Sequence, residues 1–121
     1  MSMVDPERMI QVITNLIMNA IHYTPEGGQV RVVVDTVLSG EGSERIRISV
    51  QDTGIGIPAA LIPNLFKPFF RVSEKTKGTG LGLSIARDIV RAHDGDIVVE
   101  SVSGAGSRFT VNIPAAIKAS T

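Results

Sequence analysis

Three alternating glycines, Gly78, Gly80 and Gly82, run straight into the amphipathic pattern Leu83-Ser84-Ile85-Ala86-Arg87-Asp88-Ile89-Val90. A backbone without Cβ atoms can take positive φ and come close to a ligand, and the helix that follows offers unpaired N–H groups at the positive end of its dipole. The stretch Lys77-Gly78-Thr79-Gly80-Leu81-Gly82-Leu83 is therefore expected to cradle an anion. The order GxGxG is not the dinucleotide fingerprint GxGxxG, and Lys77 precedes the glycines, unlike the lysine of a P-loop. A glycine cluster before a helix also suits a plain hinge. The choice between these readings rests on the rest of the chain.

A length of 121 residues suits one domain with a real core. Twelve Lys and Arg balance twelve Asp and Glu, so no global field recruits nucleic acid or an anionic membrane, and any basic site must be local. With no cysteine, a disulfide framework and a thiolate metal site are excluded, and a reducing cytosol is compatible. Apolar runs are broken well short of membrane-spanning length, and Met1-Ser2-Met3 begins no signal peptide. A soluble domain without direct membrane contact is expected. The helical pattern begins within a few residues of the start, which fits a domain cut from a longer protein.

Asp5-Pro6-Glu7 opens a helix by capping, a pre-set φ and a favourable charge, and the helix is expected to reach about His22. Its apolar stripe, Met9, Ile10, Val12, Ile13, Leu16, Ile17, Ala20 and Ile21, suits packing on a sheet. Asn15 and Asn19, four residues apart, interrupt it on one face. Buried amides need partners, and a bound metal or phosphate would supply them.

After the turn Thr24-Pro25-Glu26-Gly27-Gly28, a strand from Gln29 to Leu38 and a strand over Arg45–Val50 flank the loop Ser39–Ser43. The second strand runs into Asp52-Thr53-Gly54-Ile55-Gly56-Ile57. There a carboxylate precedes two glycines, either as a turn residue or as acceptor for a buried ligand amine. A short helix over 58–65 leads to Phe66-Lys67-Pro68-Phe69-Phe70-Arg71 and then to a polar flap over 72–77. The glycine-led helix is expected to end near His93-Asp94-Gly95, with Gly95 at the C-terminal cap. Strands over 96–101 and 108–113 flank a hairpin, Ser103–Ser107, whose glycines suit positive φ. Residues 115–121 are expected to form a loose tail behind a domain of residues 1–114. This order of elements predicts an α/β (α+β) two-layer sandwich with a mixed, mainly antiparallel sheet covered on one face by helices.

Asn15–Pro25, Asp52–Ile57, Phe66–Arg71, Gly78–Leu83 and Gly104–Thr110, in that order and covering nearly the whole chain, resemble the N, G1, F, G2 and G3 boxes of sensor histidine kinases. The resemblance implies the Bergerat ATP-binding fold and the catalytic and ATP-binding domain of a two-component kinase, with ATP and Mg²⁺ as cofactors. By position, Asn19 resembles the amide that ligates Mg²⁺ on the triphosphate, with Asn15 one turn back. Asp52 resembles the carboxylate that accepts the adenine amino group, and Tyr23 the aromatic lying against the base. Gly54, Gly56 and Ile57 line that pocket, and Thr110 supports the base edge. Gly78, Thr79, Gly80, Leu81, Gly82 and Leu83 wrap the phosphates. Arg71 and Lys77 are cations for the β- and γ-phosphates, acting by position and charge.

His22 stands where many relatives carry lysine, which makes it either a pH-dependent phosphate contact or an ordinary core or surface histidine. Cousins that hydrolyse ATP carry glutamate at the place of Asn15, and an amide cannot take a proton from water. The resemblance therefore implies a chain that holds ATP for transfer to a histidine on a separate dimerisation domain, then onward to a response regulator receiver domain. The expected setting is cytoplasmic, with a parent kinase possibly anchored in the inner membrane. His93 precedes Asp94 as a phosphoacceptor histidine precedes an acid, but it falls in the segment resembling the G2 helix and is read as structural. Dimer contacts in this family usually lie in the absent helices, so a monomer is expected. The alternatives are a serine kinase or regulatory binding module of anti-sigma type, and a scaffold that has lost nucleotide binding.

Overall fold

The computed structural model describes residues 5–38, 44–70 and 81–114. The hairpin loop 39–43, the flap with Arg71, Lys77, Gly78, Thr79 and Gly80, and the tail 115–121 lie outside the described residues.

Helix α1 covers Pro6–Tyr23. It starts where it does because the Asp5 carboxylate accepts the backbone N–H groups of Glu7 (3.0 Å) and Arg8 (3.3 Å), with Pro6 in the first turn. Strands β1 (Val30–Leu38) and β2 (Glu44–Asp52) form a hairpin, the 3-10 turn Ala59–Asn64 follows, helix α2 covers Gly82–Ala92, and β3 (Asp96–Val102) and β4 (Gly106–Pro114) form a second hairpin. The sheet order is β1-β2-β4-β3, and every pairing among the described residues is antiparallel, so the sheet is not mixed there.

Both helices lie on one face of the sheet. The expected two-layer sandwich is the observed architecture. Because strand side chains alternate, the core face carries Ile48, Val50 and Asp52 of β2, Ser107, Phe109, Val111 and Ile113 of β4, and Ile97 of β3, all buried. Val12, Leu16 and Ala20 of α1 and Leu83, Ala86 and Val90 of α2 close over them. Helix α1 lies over the β2 side and α2 over the β3 and β4 side, and the two helices pack on each other, so the two halves of the core meet beneath their contact.

Helix α2 ends otherwise than expected. The left-handed residue is Asp94 (φ +61°), and Gly95 is one place further on, donating to Val90 O at 3.0 Å while Asp94 donates to Arg91 O at 3.1 Å. This double closure is a Schellman arrangement in which a short polar residue takes the αL conformation. Glycine is required at 95 for closeness instead: a Cβ there would press on the Asn112 carbonyl and on Ile113 and Val90. His93 is 8 % exposed, its Nδ1 bonds the Ile89 carbonyl (2.8 Å) and its Nε2 accepts the Asp5 N–H (3.0 Å). With both ring nitrogens engaged, His93 ties the end of α2 to the start of α1, in keeping with its structural reading.

Candidate functional site

Asp52 is the last residue of β2 and stands across from Ser107 of β4 on the core face. Its Oδ1 accepts the N–H of Gly54 at 2.9 Å and that of Ser107 at 3.2 Å. Its Oδ2 is buried and has no partner among the described residues. A buried carboxylate oxygen without a donor is costly, and it is satisfied by a ligand that brings an N–H. Burial pushes the Asp52 carboxyl above the usual carboxylate range, while the two backbone donors pull the other way.

The loop after Asp52 is stitched tightly. Ile55 N–H donates to Tyr23 O (3.2 Å), Gly104 N–H to Ile55 O (2.7 Å), and Ile57 N–H to Ser101 Oγ (2.7 Å). A Cβ at Gly54 would press on the Tyr23 backbone and stand 3.0 Å from Asp52 Oδ1, so glycine lets the chain turn directly beside the carboxylate. Gly56 takes φ +70° against Val102. Tyr23, at the last turn of α1, is 6 % exposed, and burial first, and the charge of Asp52 second, push its hydroxyl up in pKa. Ile57 is fully buried in the same core. The structure thus brings Tyr23, Asp52, Gly54, Gly56 and Ile57 together.

Thr110 does not join them. It is three residues beyond Ser107, an odd step that turns it to the outer face, where its hydroxyl lies 3.3 Å from that of Ser49. The residue that meets Asp52 is Ser107, which the sequence reading passed over. Ser107 is 4 % exposed. Ser101 Oγ donates to Gly106 O (3.0 Å), so the 2.9 Å contact between the two serine hydroxyls takes its proton from Ser107. The signal lay in register: the residue just after the hairpin glycine is the one that must face the end of β2.

Helix α1 also turns a polar row toward α2. Asn15, Asn19 and His22 are spaced by four and three and share one face. Asn15 Nδ2 donates to Gly82 O at 3.2 Å, which ties that row to the first turn of α2. Asn19 Nδ2 is buried without a partner among the described residues, and His22 is half-buried in the last turn of α1. Leu81, the N-cap residue of α2, offers no side-chain acceptor to the N–H groups of the first turn, while Leu83 is buried in the core. At Gly82 a Cβ would meet only Asn15, at 3.9 Å, so no protein contact among the described residues demands glycine there.

The arrangement offers an N–H-seeking carboxylate at the end of β2 and, beside Asn15, a helix N-terminus whose cap residue supplies no side-chain acceptor. An amide oxygen suits a hard cation. No three His, Cys, Asp or Glu side chains gather to hold a metal among the described residues, so a cation beside Asn19 would take its other ligands from a bound anion and water. No helix of the described residues is long and apolar enough to cross a membrane.

Along residues 4–117 the chain matches the family described as histidine kinase-, DNA gyrase B-, and HSP90-like ATPase. It is 43 % identical over 115 residues to the sensor histidine kinase WalK of Bacillus subtilis (strain 168), a match covering 92 % of this chain and 18 % of WalK. Among solved structures, the nucleotide-free catalytic domain of histidine kinase ThkA superposes with a TM-score of 0.76 at 38 % identity, covering 92 % of this chain and 69 % of that one. Full-length ShkA in complex with AMPPNP superposes with a TM-score of 0.78 at 32 % identity, covering 93 % of this chain and 22 % of that one. The chain therefore spans under a fifth of WalK.

Proposed function

Because the chain belongs to the histidine kinase-, DNA gyrase B- and HSP90-like ATPase family, we propose that it is the ATP-binding catalytic domain of a two-component sensor histidine kinase. It holds Mg-ATP in the cleft between α1 and α2 and presents the γ-phosphate to a histidine on a separate dimerisation domain, from which the phosphoryl group passes to a receiver domain. The observation that carries this reading is Asp52: a buried carboxylate with one oxygen tied down by Gly54 and Ser107 and the other left without a donor. The adenine amino group supplies that donor. Guanine presents a carbonyl there and is refused.

Each residue then takes a stated part. Tyr23 and Ile57 wall the base beside Asp52. Asn19, whose Nδ2 is buried without a partner among the described residues, and Asn15 face the triphosphate, and the first turn of α2 with Gly82 and Leu83 meets its oxygens with backbone N–H groups. Mg²⁺, when bound, neutralises charge on the triphosphate. Asn15 donates to Gly82 O and, as an amide, has no basicity to activate water. That supports transfer over hydrolysis. In transfer, the acceptor imidazole nitrogen attacks the γ-phosphorus, the bond to the β–γ bridging oxygen breaks, and ADP leaves. Arg71, Lys77, Gly78, Thr79 and Gly80 would close over the phosphates, and His22 would meet them from α1. The place of action is the cytoplasm.

The relatives compared are histidine kinases, which favours this reading over a serine kinase of anti-sigma type. The test mixes the chain with a separately purified histidine-bearing dimerisation domain and labelled Mg-ATP. Acid-labile phosphohistidine on the second protein is expected. Intact ATP binding with acid-stable phosphoserine, or with no transfer to any of several such domains, overturns the proposal.

A further inference from the structure

Asp52 of β2, Ser107 of β4 and Ser101 of β3 stand in one row across three neighbouring strands. All three lie on the core face, Ser107 in step with Phe109 and Ser101 in step with Ile97. Ser101 is two strand spacings, about 10 Å, from Asp52. That is too far for the two to share one hydrogen-bonded group of a ligand.

A serine hydroxyl has one proton and two lone pairs, and in Ser101 the protein uses all three. Its proton goes to Gly106 O at 3.0 Å, and its oxygen receives the Ile57 N–H at 2.7 Å and the Ser107 hydroxyl at 2.9 Å. The consequence falls on Ser107. Its backbone N–H is committed to Asp52 Oδ1 and its hydroxyl proton to Ser101, so to any further partner it offers lone pairs alone. Ser101 also anchors the Ile57 end of the loop that follows Asp52, while the Gly104 N–H on Ile55 O, at 2.7 Å, anchors its middle. Gly56, at φ +70°, lets that loop lie on the Val102 backbone.

We propose that Ser101 is a positioning residue that sets which base the pocket accepts. By claiming the Ser107 proton it makes Ser107 an acceptor, next to the residue whose Oδ2 is buried without a donor among the described residues. Acceptors on neighbouring residues favour a ligand group that donates, such as an exocyclic amine, and oppose a carbonyl, whose lone pairs would meet theirs. By taking the Ile57 N–H, Ser101 also holds the apolar wall of the base in place. This role rests on adenine lying at Asp52. With alanine at 101, Ser107 keeps its N–H bond to Asp52, but its hydroxyl is released and can turn to donate. A hydroxyl free to turn meets an amine or a carbonyl equally well, and discrimination between them weakens.

The test compares ATP with inosine triphosphate, whose base carries a carbonyl in place of the amino group, by calorimetric titration of the parent, Ser101→Ala and Ser101→Thr. The parent is expected to prefer ATP. In Ser101→Ala the ratio of the two affinities is expected to fall by roughly 3- to 10-fold, the scale of one net hydrogen bond. Ser101→Thr keeps the hydroxyl and is expected to keep the parent's ratio. In a Ser107→Ala background, alanine at 101 is expected to leave the ratio alone, because the hydroxyl through which Ser101 acts is gone. The ratio is the deciding readout, since a residue that only supported the fold would weaken both nucleotides alike. If Ser101→Ala does not fold, Ser101→Cys, close in size and a weak acceptor, is expected to show the same fall. An unchanged ratio in the folded variant, or an equal fall with and without the Ser107 hydroxyl, overturns the role of Ser101 and leaves adenine at Asp52. A parent with no preference for ATP removes adenine from Asp52, and this role with it.

Discussion

The carboxylate of Asp52 is held by the backbone N–H of Ser107, 3.2 Å away across two neighbouring strands, and that contact decides which of its oxygens is spare. With Gly54 on the same Oδ1, both protein donors converge on one atom. Oδ2 is left buried and unpaired. Asp52→Asn keeps an acceptor for Ser107 and Gly54 but places an amide NH₂ where the adenine amine must donate. ATP affinity is expected to fall by roughly 10- to 100-fold, the cost of a buried polar pair that no longer matches, with the far-UV circular dichroism spectrum unchanged. Calorimetric titration of both proteins measures it, and equal affinities would remove adenine from Asp52.

The raised pKa of Asp52 gives stability and binding opposite pH dependences. Burial lifts the folded-state pKa above the unfolded one, so between the two values the native chain binds more protons and stability falls as pH rises. The contribution of this group to stability is fully present below the unfolded pKa, about 3.9, and is lost as pH climbs through the folded value. Nucleotide binding needs the ionised oxygen and is lost on acidification through that same folded value, earlier than an ordinary carboxyl would allow. Difference melts of parent and Asp52→Asn, run beside ATP titrations over the same pH series, are expected to show the two trends crossing.

Much of this site could be read from sequence because local rules govern it. Asp52 before two glycines, Asn15 and Asn19 one helical turn apart, and glycines leading into an amphipathic segment are local patterns. Ser107 and Thr110 are another matter. Which of them faces Asp52 depends on strand parity, set by where β4 begins relative to β2, while the hairpin Ser103, Gly104, Ala105, with positive φ at Gly104 and Gly106, sets β4 against β3 alone. The left-handed cap of α2 falls on Asp94, one residue before the glycine expected there, for a similar reason: glycine at 95 answers to the closeness of β4, which no local rule contains. The exposure of Val32 and Val34 was equally hidden, since they alternate as a half-buried strand does, and it follows from α1 lying mainly over β2.

Asn19 should separate base recognition from phosphate handling. Its Nδ2 is buried without a partner among the described residues, on the α1 face that meets α2 through Asn15. Asn19→Ala is expected to leave adenosine affinity within about twofold of the parent while removing most of the gain in ATP affinity that Mg²⁺ confers, a difference of roughly 1–3 kcal/mol for a lost charged contact. Titrating adenosine, ATP and Mg-ATP in turn checks it. A uniform loss across all three would mean that Asn19 supports the fold instead.

The glycines divide by what surrounds them, and two alanine substitutions should therefore fail in opposite ways. Gly106 takes φ +118°, and a Cβ there would press on the Asp52 carbonyl and stand 3.1 Å from Thr53 Cα. Backbone cannot retreat as a flexible side chain can. Gly106→Ala is expected to cost about 1–3 kcal/mol or more in stability from strain at a left-handed position, and a 1 kcal/mol loss lowers the melting temperature by roughly 4–8 °C in a domain of this size. Gly82 sits in the first turn of α2, where a Cβ finds only Asn15 at an ordinary 3.9 Å, so alanine removes chain entropy without a clash and is expected to leave stability equal or higher by up to about 1 kcal/mol. What Gly82→Ala should lose is close approach of a phosphate to the helix N-terminus. Its ATP affinity is expected to drop by at least tenfold while adenosine binds as before. Melting curves and titrations on the pair decide the matter, and a Gly82→Ala chain that binds ATP as tightly as the parent would move the phosphates away from α2.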